Sequence, residues 1–440
     1  MGVYQSPVPN MDWIQAEFAK RDRTIADLTL RAQSAAQVTE FQTGVVDSTS
    51  RVLFDGDATV YPNALRWQYG YTPVAGDPVL LGRVNGEWII LSKLKSPATS
   101  MIEVVLPPAS GWTSYDGEDG PSYTPGSSPA DRFSPGVATK SSTGWVLAYG
   151  LYNKTTTTAS GGVITTLPLG MRPAYPLQFN AVNNSTNATI QVNTDGTVTA
   201  LSAIAAGYLS IGNIQFNPDI TYATLALQGT WVAFGGAFQA PSIGRDSLGF
   251  LTVTGGAKSG STAADLGLFA ALAAGQRPSS ASHTPVVTNG TSGVFSHIGS
   301  AVPSGATANE LLWRSVWNSS NVHYQIDGAV WDDATLSLPW LTPHYVNGWV
   351  AYGASWAAPG YYKRADGVGA LRGLYATGTI GSAMYVLPPG LRPSHQILRL
   401  TASNATFGRL DIHSDGSVIA GFGSSNAWFS ADDVLFPTAA

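Results

Sequence analysis

Three observations predict a mainly β chain: an N-terminal coiled-coil helix, a small barrel, then three tandem antiparallel β-sandwich modules. Charge is dense only near the start, with 8 charged residues between positions 11 and 31, although 12% of the whole chain is charged. Beyond residue 40 the pattern is short β-branched runs broken by turns, with 48 Gly and 27 Pro in 440 residues. Beyond residue 110 one set of anchors returns three times.

The helix is expected over residues 1–40. Met11, Ile14, Phe18, Ile25, Leu28, Ala32 and Ala35 fall on steps of three and four once Arg21 fills the gap, which is the a/d seam of a coiled coil. Pro9 and Asn10 supply a stop and an N-cap before it. A single amphipathic helix on its own domain fits the same pattern. Residues 41–95 hold short strand-like runs at 44–47, 51–54, 58–61, 77–84 and 87–91. Asn85-Gly86 is a strong hairpin turn between the last two. Five short strands in so few residues suggest an OB-like barrel. Residues 96–110, with several prolines, read as a linker carrying one strand.

The modules are expected at 111–220, 221–345 and 346–440. One anchor is a Gly-x-Arg-Pro turn, at Gly170 to Pro173, Gly275 to Pro278 and Gly390 to Pro393, which sets Arg172, Arg277 and Arg392 as scaffold residues. Glycine there permits positive φ and proline ends sheet pairing. A second anchor is Asp-Gly, at Asp195, Asp327 and Asp415. A third is an opening tryptophan: Trp112, Trp231 and Trp349, read as core. Arg172 to Asp195 and Arg392 to Asp415 both span 23 residues, while Arg277 to Asp327 spans 50. The middle copy therefore carries an expected insertion of 27 residues. Modules of this size each own a core and stand as domains rather than solenoid turns.

The run from Trp349 to Pro437, with Gly369 to Leu374 and Leu387 to Pro393, resembles modules of tailed-bacteriophage minor tail proteins, tail fibres and baseplate receptor-binding proteins. The resemblance covers roughly residues 110–440. It implies a virion protein at the tail tip or baseplate, a homotrimer that contacts other tail proteins and host cell-wall glycan. It supplies no set of binding residues.

Composition narrows the chemistry. With no cysteine, disulfides, thiolate zinc sites and cysteine nucleophiles are excluded. A net charge of −5 argues against nucleic acid as partner. No apolar run is long enough for membrane insertion. The six histidines lack the spacing of a metal protease, and no nucleophile elbow or phosphate loop occurs. No metal, cofactor or catalytic residue is expected. Asp116 to Gly120 reads as a solvated acidic loop.

The leading expectation is a non-enzymatic receptor-binding protein. Sugars present apolar C–H faces to aromatic rings. Ten of the 13 tryptophans follow residue 110. Loop-like context selects Trp356, Tyr361, Tyr362 and Trp428 as glycan platforms, with Trp313 and Trp317 in the middle insertion. The alternatives are a purely structural baseplate or hub component and, third, a surface-polysaccharide depolymerase, whose paired carboxylates a sequence does not reveal.

Overall fold

A computed structural model describes residues 38–46, 51–54, 65–67, 78–84, 87–93, 101–115 and 133–439, the last with breaks at 185, 260–266, 274, 279–281, 289–290, 298–309, 315–322, 334–335, 337, 354–355, 405 and 422. The architecture is mainly β, and the described residues contain no helix. The chain divides into two compact units, Met1–Pro97 and Ala98–Ala440. The expected coiled coil lies outside the described residues, as do the strand-like run at 58–61 and the acidic loop at 116–120.

The first unit contains a five-stranded sheet in the order Val52–Phe54, Val38–Val46, Pro78–Val84, Glu87–Lys93, Arg66–Trp67. Its first strand begins inside the segment assigned to the helix. The two strands flanking Asn85-Gly86 pair antiparallel, with Val84 opposite Glu87. Val46, Val52, Leu65, Val79, Leu81 and Ile90 form its core.

The second unit repeats one sheet pair three times. In the first copy a four-stranded sheet, ordered Ile102–Val105, Val137–Lys140, Val146–Tyr149, Gln215–Phe216, shares a core with a seven-stranded one. The seven-stranded sheet runs Thr113–Tyr115, Leu151–Lys154, Gly207–Ser210, Leu177–Asn183, Thr186–Val192, Thr197–Ala200, Val163–Thr166. The other two copies have the same order, and in the third a bridge between Leu341 and Tyr361 stands for the fourth strand. Residues 96–110 are thus not a separate linker: Ile102–Val105 is the edge strand of the first sheet pair.

Strand register corrects the second anchor. Asp195-Gly196 and Asp415-Gly416 turn the chain between Thr186–Val192 and Thr197–Ala200, and between Thr406–Ile412 and Ser417–Ala420. Asp327-Gly328 instead lies between Tyr324–Gln325 and Val330–Asp332, the place of Gly212-Asn213 and Asp432-Asp433. The strands of the middle copy that match those flanking Asp195 are Thr291–His297 and Glu310–Arg314. An Asp-Gly pair is a common turn, so matching it without register chose the wrong turn. From Arg to the closing aromatic residue the copies span 44 (Arg172 to Phe216), 54 (Arg277 to Trp331) and 44 (Arg392 to Phe436). The middle insertion is therefore 10 residues, not 27.

The three copies close into a pseudo-threefold ring. The equivalent strands Leu177–Asn183, Ser282–Thr288 and Ile397–Ser403 each touch the other two. One apolar cluster draws on all three copies, with Trp145, Phe250 and Val368 at equivalent register positions. Polar ties run round the ring. Asp327 Oδ2 accepts the Gln178 backbone N–H of the first module at 2.8 Å. Asp432 Oδ2 accepts the His283 N–H of the second at 3.1 Å. Ser210 Oγ of the first donates to the Leu398 carbonyl of the third at 2.7 Å. At the aspartate position the first module has Gly212, where a Cβ would sit 2.2 Å from the Leu398 oxygen. Backbone proximity there leaves no room for a side chain.

Burial pushes the carboxyls of Asp327 and Asp432 up to about 6, against the pull of the N–H groups they accept. Both folded values exceed the ordinary 3.8, so between 3.8 and about 6 the native state binds more protons than the unfolded chain. Their contribution therefore falls as pH rises through that window. Melting temperature is expected to climb as pH is lowered from about 7 to about 5, and D327N to flatten that climb. A wild-type melting temperature that falls over the same interval contradicts the assignment.

Candidate ligand-binding surface at a module junction

The Gly-x-Arg-Pro anchors hold the sheet pairs together locally. Arg172, Arg277 and Arg392 each donate from Nε to the carbonyl of the leucine five residues earlier, at 3.0, 3.1 and 2.9 Å. Gly170, Gly275 and Gly390 all have φ near +82°. A basic residue reaches each glycine carbonyl from the neighbouring hairpin: Lys140 at 2.9 Å, Lys363 at 2.5 Å, and Arg245 in the middle copy. The sequence reading missed these three. Asp195 accepts the hydroxyl and the N–H of Thr197, which lowers its carboxyl; Asp415 accepts the N–H of Ser417, and its carboxyl is lowered although burial opposes the effect. The opening Trp112, Trp231 and Trp349 are buried in the three cores.

The proposed platforms separate into two kinds. Tyr361 and Tyr362 are half-buried and serve packing: Tyr361 stacks on Tyr385, and Tyr362 lies against Phe250 and Trp340. Trp313 lies in the strand Glu310–Arg314, opposite Phe295 and Gly267, so it belongs to the seven-stranded sheet rather than to an insertion. Trp317 lies outside the described residues. Trp356 and Trp428 converge, both ring-on-ring with the buried His283 of the second module, at centroid distances of 4.2 and 4.9 Å.

This convergence is the third-module version of a repeated feature. Register makes Tyr208, His323 and Trp428 equivalent, as it does Tyr115, Phe234 and Tyr352. Tyr115 packs on Tyr208 and Phe133, in a cluster with Leu398 of the third module. His323 stacks on Phe234 at 3.8 Å, and burial pushes its pKa down to about 4, so it is neutral near pH 7. Aromatic rings thus gather at the same place in every copy, and among the described residues only the third presents two half-exposed indoles.

A separate set of polar groups meets where the second and third modules join. Arg372 NH1 and Trp340 Nε1 both donate to Asp332 Oδ2, at 3.2 and 3.0 Å. The Arg372 guanidinium lies 4.3 Å over the Trp340 ring. These residues line a pocket of about 30 Å³ with Ser282 and Ala357, the chain neighbours of His283 and Trp356. Indole faces suit the C–H faces of a sugar, while a carboxylate–guanidinium pair suits its hydroxyls. Trp340 and Arg372 were not singled out from sequence, because nothing local marks residues that meet across modules. Among the described residues no group of three His, Asp or Glu side chains gathers to hold a metal ion.

Comparison with known proteins found no protein family, no curated protein and no solved structure that matches the chain.

Proposed function

We propose that the chain is a non-catalytic virion tail-tip protein that binds host cell-surface glycan during adsorption. The observation that carries this reading is the junction where Trp356 and Trp428 of the third module converge on His283 of the second. The resemblance of the modules to phage tail proteins supplies the setting. In this reading the first unit is an attachment region. Its five-stranded sheet is an OB-like barrel, the heptads of residues 11–35 are an oligomerising segment, and the resemblance implies a homotrimer docked on other tail proteins.

The test is binding of purified host cell-wall glycan to the chain and to W356A/W428A, with thermal unfolding measured alongside. Stacking on two indoles is worth a few kcal/mol, about 1 for each ring beyond its area burial. The double variant is expected to lose at least tenfold in affinity while keeping a cooperative melt. Unchanged binding overturns the site. Absence of binding by the unaltered chain favours the spacer role of a structural hub, a role to which the packed Tyr361 and Tyr362 are equally suited.

A further inference from the structure

The pseudo-threefold axis contains a second pocket, of about 30 Å³, with walls from all three modules. Phe179, Thr284 and Arg399 occupy equivalent register positions around it, as do Asn213, Gly328 and Asp433. Most polar groups in the wall are satisfied. Gln215 donates from Nε2 to the carbonyls of Gly328 and Asp433, and its Oε1 accepts Arg399 NH2 at 2.8 Å. Arg399 NH1 donates to the Leu435 carbonyl at 2.7 Å. Asn213 exchanges two hydrogen bonds with the Leu400 backbone.

Among the wall atoms that make no hydrogen bond within the protein are Gln178 Oε1, Asn180 Oδ1, Thr284 Oγ1 and Arg399 Nε. The four residues are 3–5% exposed. The orientation of Gln178 is fixed by a chain of amides. Asn193 must present Nδ2 to the Thr197 carbonyl, so its Oδ1 accepts Gln191 Nε2. Gln191 Oε1 then accepts Gln178 Nε2 at 3.0 Å, which leaves Gln178 Oε1 as the atom without a hydrogen bond. Each such group left dry in an interior costs about 1–3 kcal/mol.

We propose that the axial pocket is a hydration site that holds one or two ordered water molecules. Its volume accommodates that number, since one water takes about 10–15 Å³ by this measure. The donor set selects water among small ligands. A cation would face the Arg399 guanidinium. An anion would face two amide oxygens and Asp327, Asp432 and Asp433 of the wall. Water accepts from Arg399 Nε–H and donates to the oxygens of Asn180 and Gln178, and the Thr284 hydroxyl adapts to either role. Bound there, water joins side chains of all three modules at the centre of the ring.

The experiment is a crystal structure of the full chain at a resolution that shows water, repeated after soaking in rubidium bromide. Density within about 2.7–3.2 Å of Arg399 Nε and Asn180 Oδ1, without anomalous signal, is the expected result. An anomalous peak in the pocket, or a pocket without density, overturns the proposal. Oxygen-17 relaxation dispersion gives a second reading. T284V and N180L, both near-isosteric, are expected to lose one or two long-lived waters relative to the unaltered chain. An unchanged number overturns the proposal as well.

Discussion

R364M is expected to lower the stability of the ring by about 3–5 kcal/mol, because it leaves two buried carboxylates without their countercharge. Ser141, Asp246 and Arg364 are the equivalent first residues of three matching hairpin turns. Each donates its N–H to the carbonyl of Trp145, Phe250 or Val368, at 2.9, 2.9 and 2.8 Å. At one end of the axis they meet as unlike partners. Arg364 NH2 donates to Asp246 Oδ2 at 2.6 Å and to Asp366 Oδ2 at 3.1 Å, and all three side chains are at most 1% exposed. Trp145 Nε1 of the first module donates to the same Asp246 oxygen at 2.7 Å. The guanidinium lies 4.4 Å over the Phe250 ring. Arginine on its partners holds the Asp366 carboxyl below its ordinary value, although burial opposes it. The pair Lys140–Asp219 is far more open, with side chains 19% and 52% exposed, so K140M is expected to cost about 1 kcal/mol or less. Urea unfolding followed by tryptophan fluorescence measures both. Equal losses for the two variants would contradict the role assigned to the axial network.

G150A is expected to be the most damaging single-methyl change, at about 3 kcal/mol or more, combining positive-φ strain with a backbone clash. Gly150, Gly255 and Gly373 are equivalent and have φ of +104°, +103° and +102°. Each follows a strand of the smaller sheet of its module and passes the chain into the seven-stranded one. A Cβ on Gly150 would lie 2.0 Å from the Pro135 carbonyl oxygen, and one on Gly373 would lie 2.4 Å from Pro359 Cα. Gly170 also has positive φ, +83°, but nothing lies within 4 Å of its Cβ position. G170A therefore carries only the conformational strain, about 1 kcal/mol. Thermal melts of the two variants give the comparison. A G150A melt within a degree or two of G170A would show that the backbone does not approach as described.

What was legible in the sequence was local and periodic. The Gly-x-Arg-Pro turns, the buried opening tryptophans and the Asn85-Gly86 hairpin are short-range signals that sterics make unambiguous. The Asp-Gly anchor failed in the middle copy because a two-residue turn carries too little information without strand register. A better signal was present and unused: a basic residue, a glycine four positions on and another six beyond. It occurs as Lys140, Gly144, Gly150; as Arg245, Gly249, Gly255; and as Lys363, Gly367, Gly373. Ring closure left no such trace. Gln215 and Arg399 meet across 184 residues, and Trp356 finds His283 in another module, only because three sheets already share an axis. The same divergence explains why the axial positions looked unrelated: Ser141, Asp246 and Arg364 complement one another and so cannot resemble one another.

The central claim is that three β-sandwich modules close into one ring rather than standing in line. Small-angle X-ray scattering on residues 98–440, which form a compact unit, tests it most directly. A closed body of this length has a radius of gyration of about 20 Å, whereas three such modules strung end to end would give about 28 Å. A value near 20 Å is the predicted result; a value near 28 Å would contradict the ring.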